Sequence, residues 1–179
     1  MEAIKQTGKP MVVVLLNGSA LSVNYAAENA SAILTAGYAG QQGGNAVADV
    51  LFGDYNPAGR LPVTYYQSVD QLPPFENYDM AGRTYRYFDG EPLYPFGFGL
   101  SYTSFAYSEL KLPAKTVAGE KVSVSVKVTN TGKVAGDEVV QLYVSDLKAS
   151  TPRPIRQLEG YERIRLNPGE SKVGRFELT

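Results

Sequence analysis

Residues 122–130 read VSVSVKVTN, with Val122, Val124, Val126 and Val128 alternating with Ser, Ser, Lys and Thr. Period-two alternation puts the valines on one face of a strand and the polar residues on the other, as a sheet with one face on a core requires. Toward the C-terminus, Asn130 to Gly136 supply a turn and Val139 to Val144 a second strand. Leu158 to Leu166 and Lys172 to Leu178 continue the series across the turn NPGE, residues 167–170. Pro152 and Pro154 around Arg153 make a stiff surface crossing between strands. Short strands joined by turns, with no helical period among them, predict an antiparallel β-sandwich over 104–179.

Upstream the pattern changes. Residues 67–103 are dense in Pro, Gly and Tyr and lack periodicity, which predicts an ordered loop and linker whose aromatic content argues against disorder. Residues 1–66 read as α/β. Ala3 to Gln6 end a helix, Gly8 caps it in the left-handed region before Pro10, and Met11 to Leu16 form an apolar strand expected to be buried on both faces. Ala32 to Ala36 is a second strand, and Gly43 to Phe52 a helix with Val47, Val50 and Leu51 on one side, stopped by Gly53. Leu61 to Tyr66 is expected as a last strand, entered through the turn-forming DYNPAG.

Composition narrows the chemistry. With 179 residues, 44% hydrophobic and 20% charged, the chain is long enough for one domain or two small ones. Seventeen basic residues against eighteen acidic ones leave a net charge of −1, so nothing favours nucleic acid or an anionic membrane surface as a partner. The absence of cysteine and histidine removes disulfides, thiolate chemistry and every Ser/His or Cys/His catalytic arrangement, and it leaves the redox compartment open. The longest apolar run, MVVVLL at 11–16, falls far short of the roughly 20 residues that span a bilayer.

Four stretches carry a resemblance: GDYNPAGRLPVT (53–64), GRTYRYFDGEPLYPFGFGLSYTSF (82–105), TNTGKVAGDEVVQLYVSD (129–146) and LEGYERIRLNPGES (158–171). In order, from Lys9 to about Thr179, they resemble the C-terminal half of glycoside hydrolase family 3 enzymes, the β-glucosidases and β-xylosidases that act on chain ends. The resemblance implies a partial α/β sandwich followed by an incomplete fibronectin type III-like β-sandwich, one or two strands short of about seven. It implies that the nucleophilic aspartate lies on an N-terminal (β/α)8 barrel and the acid/base glutamate upstream of this segment, so that no catalytic residue is expected here and the chain alone should be inactive. It implies no cofactor and no metal, a glycoside or oligosaccharide substrate bound through the parent enzyme, and a parent that is periplasmic or secreted. Glucose and xylose remain equally open as the sugar released. If both domains are cut, exposed strand edges should favour self-association.

Retaining glycoside hydrolysis needs two carboxyl groups about 5 Å apart, one nucleophilic and one protonated. The carboxylates here are expected in turns or on solvated faces: Asp49 on the polar side of a helix, Asp54 and Asp89 in Gly-containing turns, Glu28 in a surface connection, and Glu109, Glu120, Glu138, Glu170 and Glu177 among the strands. Asn17-Gly18-Ser19 matches a glycosylation sequon and reads more simply as a turn satisfied by its own side chains. The glycines around Gly40 lack a phosphate-binding lysine or spacing. The best candidates for ligand contact are Arg83, Tyr85, Arg86 and Tyr87, since guanidinium forks and flat phenol faces suit either a sugar or a domain interface. An alternative function is a non-catalytic carbohydrate-binding or interaction module, because fibronectin-like sandwiches also stand alone.

Overall fold

The first strand, β1 (Val12–Leu15), follows the short helix α1 (Glu2–Lys5) and pairs in parallel with β2 (Ala32–Thr35), Val12 opposite Ala32 and Leu15 opposite Thr35. The computed structural model that shows this describes residues 1–178. Gly8 takes φ +70° after α1, the left-handed cap expected before Pro10. Parallel strands need a crossover. Here it carries α2 (Asn24–Asn29), a helix not foreseen from the sequence, whose Ala26 is buried. α3 (Gly43–Phe52) ends at Gly53, at φ 88°, whose N–H bonds the Val50 carbonyl. Val47 and Val50 are half-buried on it while Leu51 is exposed.

Two expectations for this region need correction. β1 is not buried on both faces: Val12 is 44% exposed and Val13 to Leu15 are half-buried, because a two-stranded sheet offers its neighbours little covering surface. Leu61 to Tyr66 forms no continuous strand. Tyr65 makes one antiparallel bridge with Tyr94, and Leu61 exchanges backbone bonds with Phe98 and Gly97. Pro62 has no N–H to give, so the ladder breaks between these anchor points. Residues 67–98 then contain only a 3₁₀ turn (Val69–Gln71) and the one-turn helix α4 (Thr84–Tyr87), ordered by ring contacts and side-chain bonds to backbone.

By contact, the chain divides into two units: Met1–Asp54 with Leu61–Phe98, and Tyr55–Arg60 with the chain from Gly99 onward. The second unit is all β. β3 (Phe105–Lys111), β4 (Val122–Asn130) and β7 (Ser171–Leu178) form an antiparallel sheet with β4 central, and β5 (Gly136–Val144) pairs with β6 (Gln157–Leu166) in a second. Val124, Val128 and Asn130 are buried along β4, as the alternation requires, and β5 buries Gly136, Glu138 and Val140. The core joins both sheets: Val128 from β4, Val140 from β5, and Ile164 and Leu166 from β6, with Phe105, Val126 and Phe176 packed against them. Gly160 leaves room for Phe176, since a Cβ there would lie 2.8 Å from the ring. This architecture, a small α/β unit and an antiparallel sandwich, is the fold class expected from the sequence.

Candidate functional site

Within the first unit, the RTYRY segment is held by its own neighbours. Arg83 enters α4 in extended backbone, and its guanidinium donates to three carbonyls of the preceding loop: Nε to Asp79 at 3.1 Å, and Nη2 to Pro74 at 3.2 Å and Asn77 at 2.6 Å. A planar fork of donors suits such a cluster of acceptors, each charge-assisted. Thr84 then adopts φ 57°, unusual for a β-branched residue, and its N–H donates to the Tyr66 hydroxyl at 2.8 Å. Tyr85 stacks on Phe96 with centroids 4.2 Å apart, Arg86 lies exposed over the Tyr85 ring, and Tyr87 is half-buried on α4. Arg83 and Tyr85 are thus engaged inside the unit, and Arg86 is the candidate most open to solvent.

Asn17 donates to the Ser19 carbonyl and to the Tyr65 hydroxyl, so the NGS turn uses its own side chain together with the Tyr65 anchor. Glu28 is exposed on α2, Asp49 on α3, Asp54 in the bend after α3 and Asp89 in the irregular segment after α4.

Within the second unit, the NPAGR part of DYNPAGR is a strap seated on the sandwich. Asn56 donates to the Ala135 carbonyl at 3.0 Å and accepts from the Ser101 hydroxyl and the Tyr102 N–H, at 2.9 and 2.8 Å. The approach is close: a Cβ at Gly136 would lie 2.6 Å from the Asn56 amide nitrogen, and one at Gly99 would collide with the Gly59 carbonyl. Arg60 braces the strap through the Ala58 and Gly59 carbonyls and pairs with Glu138 at 2.9 Å. Glu138 also accepts from the Tyr107 hydroxyl at 3.0 Å. Burial first, and then the adjoining Glu138 carboxylate, push the Tyr107 hydroxyl pKa well above its ordinary range.

Glu138 therefore corrects the expectation of a solvated carboxylate: it is 7% exposed and faces inward on β5. A buried carboxylate survives only when paired and hydrogen-bonded, and Arg60 with Tyr107 meets that need. Sequence reasoning missed Asn56, Arg60 and Glu138. The signal was parity, since Glu138 shares its strand face with Val140. Among the described residues, no group of three or more acidic side chains is placed to hold a metal ion, and no helix is long and apolar enough to cross a membrane.

The chain thus combines an α/β unit that carries an aromatic, Arg-braced loop with an antiparallel, fibronectin-like sandwich. The glycosyl hydrolase family 3 C-terminal domain model matches residues 1–102, and a fibronectin type III-like domain model matches 138–179. The chain belongs to glycoside hydrolase family 3, in its C-terminal region. It is 48% identical over 189 residues to a periplasmic β-glucosidase of Salmonella typhimurium, covering 98% of this chain and 25% of that protein. It is 50% identical over 184 residues to a β-xylosidase of Formosa agariphila, covering 99% of this chain and 25% of that one. Among solved structures, a β-glucosidase from Erythrobacter marinus matches with a TM-score of 0.87 at 48% identity, over 99% of this chain and 24% of its own. The chain thus spans about a quarter of the length of the curated relatives it matches.

Proposed function

We propose that this chain is the C-terminal portion of an exo-acting β-glycosidase that hydrolyses terminal β-D-glucosyl or β-D-xylosyl residues, and that it carries neither catalytic carboxylate. The observation that carries the reading is the relation along nearly the whole chain, at 48% and 50% identity, to a β-glucosidase and a β-xylosidase. The state of the carboxylates supports the second half. Glu138, the one buried carboxylate among the described residues, is engaged on both oxygens, by Arg60 and by Tyr107. A nucleophile or general acid must instead face a substrate. On this reading the segment supplies binding surface and an accessory sandwich, and surface without a reacting pair leaves most of the barrier in place.

The test is turnover of aryl β-glucosides and β-xylosides by the purified chain. None is expected. Sustained hydrolysis that disappears in Glu28→Gln would overturn the assignment of the catalytic pair to sequence outside this segment.

A further inference from the structure

The three bonds from Arg83 raise the question of what they hold in place. They fix the loop Pro74–Asp79, which is further tied by the Asn77 N–H to the Pro74 carbonyl at 3.0 Å and the Asp79 N–H to the Asn77 side chain at 2.8 Å. Pro73 and Pro74 stiffen its entry. The loop nonetheless presents Phe75 at 90% and Tyr78 at 92% exposure, among the most exposed large side chains of the described residues. Single exposed apolar residues are ordinary. Two nearly bare rings on a loop locked by a charged fork are less so, because fixing the loop costs conformational entropy and covers neither ring.

We propose that Phe75 and Tyr78 form a stacking platform for a β-linked oligosaccharide, with Arg83 as the positioning residue beneath it. The proposal rests on the glycosidase reading above and adds to it the residues that meet the sugar chain. Pyranose rings present apolar C–H faces edged by hydroxyls, and a flat ring with polar neighbours complements them. Phe75 and Tyr78 lie three residues apart, so their Cα atoms are separated by at most about 11 Å, within the reach of adjacent sugar units. Between and beside them Glu76, Asn77 and Asp79 are exposed and offer hydroxyl-binding acceptors. Two carboxylates in this short loop disfavour an anionic ligand or an anionic membrane surface, and a neutral polyol suffers no such penalty. The alternation of rings with carboxylate and amide also departs from the contiguous apolar core of a protein interface. Holding the rings in place before binding reduces the ordering cost, which makes Arg83 matter without touching the ligand.

The experiment titrates cellotriose and xylotriose separately into the full 179-residue chain, read by aromatic ¹H–¹³C NMR. At least one trisaccharide should shift the Phe75 and Tyr78 ring signals saturably. The double variant Phe75→Ala/Tyr78→Ala should bind about tenfold or more weakly, while Tyr78→Phe, which keeps the ring, should stay within about threefold. Arg83→Met should weaken binding and raise amide exchange at 75–79, with other regions unchanged. Absence of shifts at both rings with either trisaccharide, or equal affinity in the double variant, would overturn the platform. Failure of the glycosidase reading is scored separately, by whether this chain supports aryl glycoside hydrolysis when it replaces the matching region of a β-glucosidase.

Discussion

At Glu138 two oxygens have two partners, the largely buried Arg60 guanidinium and the hydroxyl of the half-exposed Tyr107. Removing one partner of a buried pair leaves a charge uncompensated, which costs more than the pair contributes. Arg60→Met should therefore lower the stability of the sandwich by about 3 kcal/mol, read from denaturant midpoints at unchanged slope. Arg60→Met/Glu138→Met should cost less than Arg60→Met alone, and an additive double loss would mean that the two do not act as a pair. The Tyr107 hydroxyl gives a second test through pH. Its folded pKa lies above the unfolded value of about 10, so its contribution is complete below pH 10 and is lost as pH rises beyond it. Wild type should lose stability above pH 10 more steeply than Tyr107→Phe, which has no proton to release. Parallel curves would remove the linkage. From sequence alone the fate of Glu138 was readable only through the parity it shares with Val140, and its partner Arg60 lies 78 residues away.

Elements were legible where one signal dominated. The valines of β4 alternate without interruption, Val124 and Val128 buried and Val122 and Val126 half-buried, and α3 runs from Gly43 to Phe52 with Gly53 as its left-handed stop. Leu61 to Tyr66 misled because its composition is strand-like while its bonds go to separate points, Gly97 and Phe98 at one end and Tyr94 at the other. The RTYRY segment showed the right residue types for ligand contact. That Arg83 spends its donors on backbone carbonyls four to nine residues earlier is invisible to any side-chain pattern. β6 allows a test of face assignment, since Leu166 is fully buried against both sheets and Tyr161 is 71% exposed. Leu166→Ala should cost about 3 kcal/mol and Tyr161→Ala less than about 0.5 kcal/mol. Similar costs at the two positions in thermal or chemical unfolding would contradict the sandwich core described above.

At the scale of the molecule, the chain leaves the first unit at Tyr55, within DYNPAGR, and returns to it at Leu61 after seating Asn56 and Arg60 on the sandwich. A linear division of the sequence into 1–66, 67–103 and 104–179 cannot express such interleaving, because the strap's partners at Ser101, Ala135 and Glu138 lie 45 to 79 residues later. Family membership was legible for the opposite reason: the resemblance lay in loops such as GDYNPAGRLPVT, which no packing period dictates. Under the proposed function, this chain is a quarter of a β-glycosidase whose reacting carboxylates lie elsewhere. The most direct test is aryl β-glucoside hydrolysis by the Salmonella typhimurium β-glucosidase with its matching region, 48% identical, replaced by this chain, assayed beside the chain alone. Turnover by the chimera and none by the chain is the expected result; a folded but inactive chimera, or an active isolated chain, would contradict the proposed function.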